Sequence, residues 1–125
     1  MFDIDTIKGE RIHMIGIGGS SMSGLAEMLL MLGYKVSGSD KSEGHYTQKL
    51  VKLGVDVRIG HYPNMLNGAS LLVYSAAISE DDPEMKEAKR LHIPRLERAE
   101  LLGQIMRKYK RRICISGTHG KTTTT

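Results

Sequence analysis

Arg11-Ile12-His13-Met14-Ile15-Gly16-Ile17-Gly18-Gly19-Ser20-Ser21, followed at once by residues 22–32, is the stretch that decides the fold. The apolar run over residues 11–17 predicts a buried strand closed by glycine. Met22, Leu25, Ala26, Leu29 and Leu32 recur at helical spacing and predict a helix over residues 22–32, which Gly33 ends. Met28 and Leu30 widen its apolar stripe, so this helix is expected to be covered on more than one side. A strand, a glycine turn and a helix start gather backbone N–H groups and the positive end of a helix dipole around one point, which suits a diphosphate. Gly16 and Gly18 allow the tight turn and the close approach. The third glycine of G-x-G-x-x-G is Ser21 here. The same spacing also serves a turn needed only for packing.

The alternation continues. Residues 34–39 predict a second strand. Asp40 ends it, roughly two dozen residues after Gly16, where dinucleotide folds place an acid on a ribose hydroxyl. A short helix over residues 47–53 and a strand over 55–59 follow, then one helical turn at Pro63–Leu66 and a buried strand over 71–75. Asp82 caps and Pro83 opens a helix that runs to Arg90. Residues 93–96 form a brief strand, and residues 98–108 a helix with Leu101, Leu102, Ile105 and Met106 inward. Strands alternating with helices predict parallel pairing through right-handed crossovers. The fold class is therefore α/β, a Rossmann-like open parallel sheet with helices on both faces.

A further strand is predicted over Arg112-Ile113-Cys114-Ile115-Ser116. It leads into Gly117-Thr118-His119-Gly120-Lys121-Thr122-Thr123-Thr124-Thr125. Strand, glycine turn and Gly-Lys-Thr form the layout of a phosphate loop, although Ile115 stands where the common pattern has glycine. Its N–H groups, including that of His119, would wrap a nucleoside triphosphate. Lys121 would reach the β/γ-phosphates and the Thr122 hydroxyl would take Mg²⁺. Residues 1–108 are expected to form one domain and residues 109–125 the start of a second, ATPase domain, across a hydrophilic hinge at 107–110. On this reading the chain is the front part of a larger nucleotide-using enzyme and is inactive by itself. A strand without its sheet leaves N–H and C=O groups open. Ile113 and Ile115 are thus expected to pack on the first domain or on a second copy, the latter a truncation-driven dimer.

Of 125 residues, 40% are hydrophobic and 26% charged, a composition that supports a packed core rather than disorder. The net charge of +4 tempts a nucleic-acid reading. Its distribution argues against one. Five basic residues lie within 107–112 and Lys121 sits in the phosphate loop, which leaves the remainder mildly acidic. Cys114 is the single cysteine, so no internal disulfide forms, as suits a reducing compartment. No signal peptide and no apolar run long enough for a bilayer are present. A cytoplasmic protein with no nucleic-acid or membrane partner is expected. Met14, Met22, Met28 and Met31 are read as core gap-fillers. The five histidines lack metal-ligand spacing. His13 is read as structural. His61, in a loop at the carboxyl end of a strand, is a candidate substrate contact.

Taken together, several motifs resemble the Mur ligases over essentially the whole chain from Ile12 onward. They are Gly16-Ile17-Gly18-Gly19 with Met22 and Gly24, Gly33-Tyr34, Ser37-Gly38-Ser39-Asp40, Ser75-Ala76-Ala77-Ile78-Ser79, Arg98-Ala99-Glu100 and the phosphate loop at 117–124. The wording is most similar to the member that joins L-alanine to UDP-N-acetylmuramate in peptidoglycan synthesis. The resemblance implies an ATP- and Mg²⁺-dependent ligase that phosphorylates the lactyl carboxylate of the sugar nucleotide. The amine of L-alanine then attacks the acyl phosphate. It implies that Gly16, Ile17, Gly18, Gly19, Ser20 and Ser21 bind the UDP diphosphate and that Asp40 meets the uridine or ribose. Ser75, Ala76, Ala77 and Arg98 would line the same crevice, with His61. ATP would lie on Gly117, Thr118, His119, Gly120, Lys121, Thr122 and Thr123. Lys121 and Thr122 would act in catalysis, Thr122 as metal ligand. An NAD-dependent oxidoreductase explains the first turn and Asp40 but not the second loop. A sister ligase attaching a preformed peptide to the same sugar, and a stand-alone UDP-sugar binding module, also fit.

Overall fold

The computed structural model describes residues 2–116, with side chains for residues 2–108. Five strands form one sheet: β1 Arg11–Ile15, β2 Lys35–Asp40, β3 Asp56–Ile59, β4 Leu71–Tyr74 and β5 Arg95–Glu97. Their spatial order is β3-β2-β1-β4-β5, and every pairing is parallel. Four helices alternate with them: α1 Ser20–Met31, α2 His45–Lys52, α3 Pro83–Arg90 and α4 Arg98–Ser116. Ile4–Ile7 and Pro63–Leu66 form single 3-10 turns. The chain moves outward from β1 to β3, then returns to the other side of β1. The reversal opens a crevice at the carboxyl ends of the strands, beside β1 and β4, where open α/β sheets bind ligands.

Alternation along the strands assigns each side chain to a layer. Ile12 and Met14 of β1 pack with Met22, Leu25, Ala26 and Leu29 of α1, Leu50 of α2 and Leu101 and Ile105 of α4. Ile15 and Leu72 point the other way, onto Leu66, Met85 and Ala88. The α/β expectation of helices on both faces is met.

Four local expectations are corrected. Met28 is 41% and Met31 73% exposed. Helix α1 therefore buries one stripe, and these two methionines do not fill core gaps. Met106, expected inward on α4, is 59% exposed. Residues 112–116, expected as a strand, continue α4 as helix. A strand must pair with a neighbouring edge, whereas a helix satisfies its N–H and C=O groups along itself. Arg and Lys, which dominate 107–112, are good helix formers. The side chains of Ile113, Cys114 and Ile115, on which the expected packing or dimer rests, lie outside the described residues. Helix α4 also runs unbroken through 107–110, where a hinge was expected.

The turn at Ile4–Ile7 was not anticipated. Asp3 caps it by accepting from the Asp5 N–H. Ile4 and Ile7 are buried, and Ile4 donates its N–H to Gln104 Oε1 of α4 at 3.0 Å. Tyr34 Oη donates to the Ile4 carbonyl at 2.7 Å, and Gln104 Nε2 to that of Phe2. Lys108 Nζ reaches Asp3 Oδ1 at 3.2 Å and Asp5 Oδ2 at 2.7 Å.

Candidate functional site

The glycine turn between β1 and α1 is pinned to the end of β2. Gly16 and Ile17 both donate their N–H groups to the Ser39 carbonyl, at 2.8 and 3.0 Å. Gly16 has φ +74°, a left-handed conformation that favours glycine. Gly19 then precedes α1 without a side-chain cap, and no acidic residue stands in the first turn. The positive end of the α1 dipole thus faces the crevice with no carboxylate of its own helix to offset it.

Asp40 holds this turn from the side. Its Oδ2 accepts the Gly18 N–H at 2.8 Å and its Oδ1 the Ser42 N–H at 3.3 Å. Arg98 closes the turn from above: at the start of α4, its Nη1 donates to Ser21 Oγ at 2.8 Å. Residues distant in sequence, Ser21 and Arg98, therefore meet at one mouth. Ser75, Ala76 and Ala77 form the loop after β4, where the Ile78 N–H returns to the Ser75 carbonyl at 3.0 Å; Ala76 and Ala77 are exposed. His61 follows β3, and its Nδ1 lies 3.8 Å from Asp82 Oδ2. The described candidates all lie at the carboxyl ends of the strands, as expected. Gly117, Thr118, His119, Gly120, Lys121, Thr122 and Thr123 lie outside the described residues.

Beneath the crevice sits a polar cluster whose carboxylate sequence reasoning missed. His13 and Glu84 are both fully buried. His13 Nε2 lies 2.8 Å from Glu84 Oε1, which also accepts from Ser39 Oγ at 2.8 Å. Glu84 Oε2 takes the Tyr62 N–H at 2.8 Å. On the far side His13 Nδ1 lies 2.9 Å from Ser37 Oγ, which accepts from Arg11 Nη1 at 2.6 Å. Burial pushes the Glu84 carboxyl up, but the bonds from His13, the Tyr62 N–H and Ser39, with the charge of His13, outweigh it and leave the group below its ordinary value. Asp82-Pro83 marked the helix start in the sequence. Which side of that helix meets His13 depends on tertiary packing, and no local signal gives it. The structural reading of His13 is met.

Among the described residues, no three His, Cys, Asp or Glu side chains gather as a metal site. No described helix is long and apolar enough to cross a membrane.

Residues 11–110 match the family described as Mur ligase family, catalytic domain. A UDP-N-acetylmuramate–L-alanine ligase of Acetivibrio thermocellus is 53% identical over 122 residues, covering 98% of this chain and 26% of the relative. The chain thus spans about a quarter of the length of that curated relative. Among solved structures, the UDP-N-acetylmuramate-alanine ligase of Thermotoga maritima is similar with a TM-score of 0.72 at 30% identity, over 82% of this chain and 23% of that one. The UDP-N-acetylmuramate:L-alanyl-gamma-D-glutamyl-meso-diaminopimelate ligase of Neisseria meningitides gives 0.70 at 28%, over 76% and 30%.

Proposed function

The chain belongs to the Mur ligase family, and on that premise we propose that residues 1–108 grip the UDP end of UDP-N-acetylmuramate within an ATP-dependent ligase that adds L-alanine. The observation that carries the reading is the meeting of Arg98 with Ser21 over the glycine turn, 2.8 Å apart. A guanidinium, a hydroxyl and the start of α1 converge where a diphosphate needs charge and N–H donors. Asp40, His61 and Ser75–Ala77 would border the rest of the nucleotide.

In the whole reaction the lactyl carboxylate becomes an acyl phosphate, and the amine of L-alanine displaces phosphate to leave an amide. ATP supplies the phosphoryl group. Residues 109–125 would begin the part that binds it. There Gly117–Thr123 would wrap the phosphates, Lys121 would neutralise the transferred group and Thr122 would hold Mg²⁺. A reducing, cytoplasmic setting fits these substrates.

A second reading, a ligase adding a preformed peptide to the same sugar nucleotide, is favoured by the Neisseria meningitides structure, whose TM-score of 0.70 nearly equals 0.72. Both readings assign this chain the same nucleotide. Calorimetry of the chain with UDP-N-acetylmuramate, UDP and NADH tests it. The UDP compounds are expected to bind and NADH to bind more weakly; the reverse order overturns the assignment. Comparing L-alanine with the peptide as acceptor for the longer protein separates the two ligases.

A further inference from the structure

We propose that Asp82 and Glu84, at the start of α3, are positioning residues for the nucleoside side of this site, holding residues 60–62 against the Asp40 corner. The inference rests on the crevice being a UDP-sugar site. Three consecutive residues of that loop are each tied by a different group. Gly60 donates its N–H to the Asp40 carbonyl at 2.8 Å. His61 lies 3.8 Å from Asp82 Oδ2, and Tyr62 donates its N–H to Glu84 Oε2 at 2.8 Å. Gly60, with φ +118°, provides the bend that lets the next two residues face α3. The loop is open to solvent: the His61 side chain is 53% exposed and Tyr62 41%. Glu84 is fully buried. Burying an ionised carboxylate is costly unless its hydrogen bonds are satisfied, and here one of its two oxygens serves only this exposed loop. When a diphosphate sits at the start of α1, the nucleoside falls over the carboxyl end of β2, beside residues 60–62.

The chemistry of Glu84 gives a clean perturbation. Oε1 serves His13 and Ser39, and Oε2 serves the Tyr62 N–H alone. A glutamine has one acceptor oxygen. With that oxygen on His13 and Ser39, its NH₂ confronts the Tyr62 N–H, donor against donor, and the loop is released; with the amide turned and its NH₂ on His13 Nε2, the Tyr62 bond is kept and that resonance stays in place. Asp82→Asn keeps an acceptor for the Glu84 N–H, which caps α3 at 2.8 Å, but turns an uncharged amide toward His61.

The test is a ¹H–¹⁵N NMR titration of the chain, as wild type, Glu84→Gln and Asp82→Asn, with UDP and separately with inorganic pyrophosphate. In Glu84→Gln the Tyr62 amide resonance is expected to move, with most other amides unchanged. Glu84→Gln should bind UDP on the order of tenfold more weakly, the loss of about one hydrogen bond, and Asp82→Asn about two- to fourfold more weakly, the loss of an exposed ion pair, while pyrophosphate affinity stays unchanged in both. Unchanged UDP affinity in a folded Glu84→Gln whose Tyr62 amide has moved overturns the proposal. So does an equal loss for both ligands, which a merely structural role would give. If Glu84→Gln does not fold, or folds with the Tyr62 resonance in place, the same split in Asp82→Asn decides, and its absence overturns the proposal. Wild type that binds neither UDP nor UDP-N-acetylmuramate sinks the nucleotide site itself, a failure distinct from the first two.

Discussion

Gly38 is glycine because of the space around it. A Cβ there would lie 2.5 Å from Ile17 Cδ1, 2.7 Å from Ile17 Cβ and 2.7 Å from the Met14 carbonyl. Gly38→Ala is expected to destabilise by about 1–3 kcal/mol in urea melts, the usual range for overpacking. Ile17→Val should not rescue it, because the Ile17 Cβ and the Met14 carbonyl remain. At Gly18 a Cβ would meet Thr47 Cγ2 at 2.7 Å and Asp40 Oδ2 at 2.8 Å. A valine there disturbs the loop's own packing as well as any ligand, so binding assays of that variant need a melt beside them. Gly18 was legible from the strand, turn and helix around it; Gly38 stood only within a motif that carried the family resemblance, and its contacts with Ile17 and Met14 had no local signal. Glu84 was not legible, since its partners come from β1, β2 and the loop after β3. It also gives a pH prediction. Burial raises its carboxyl, yet the bonds to it win and leave it below its ordinary value. A depressed carboxyl stabilises above its unfolded value, and that contribution is lost as pH falls through the folded one. Urea melts between about pH 5 and pH 3 should show wild type losing more stability than Glu84→Gln, the window set by ordinary carboxylates; equal losses would remove Glu84 as a cause.

At the scale of elements, β1 to β5, α1 to α3 and residues 98–108 of α4 were legible from apolar runs, helical spacing and Gly or Pro punctuation, whereas 112–116, read as a strand, continue α4. Periodicity identifies a stripe without saying how far it is covered, hence the exposed Met28, Met31 and Met106. The turn at Ile4–Ile7 was illegible for another reason: its partners Gln104 and Lys108 lie about a hundred residues away. Magnitudes rank those two contacts. Lys108 pairs with Asp3 and Asp5, whose side chains are 59% and 48% exposed, and such ion pairs contribute about 0–1 kcal/mol. Gln104 is buried and accepts the N–H of fully buried Ile4. Its removal leaves a buried donor without a partner, at about 1–3 kcal/mol. Hydrogen exchange should therefore speed up at Ile4–Ile7 more in Gln104→Ala than in Lys108→Ala. The opposite ranking would mean that charge, rather than the buried bond, anchors the turn.

For the whole molecule, the proposed nucleotide crevice is assembled by one sheet from residues 16–98. Residues 117–123, read from the sequence as a second phosphate loop, come after α4 in the chain. The chain covers 26% of the Acetivibrio thermocellus relative, and we read the two sites as belonging to separate parts of a longer protein. If the two sites are divided in this way, they should respond independently to mutation. Lys121 is read as neutralising the transferred phosphoryl group, an electrostatic role in which loss of one donor typically lowers rate by about 10²–10³-fold. It supplies nothing to the Gly16–Ser21 turn in that reading. In a protein of the relatives' length, Lys121→Ala is expected to lose acyl-phosphate formation by at least that factor. Its dissociation constant for UDP-N-acetylmuramate, measured by calorimetry without ATP, should stay within about twofold. Loss of both in a folded variant would contradict the division, because Lys121 would then have to reach the sugar-nucleotide crevice or hold it in shape.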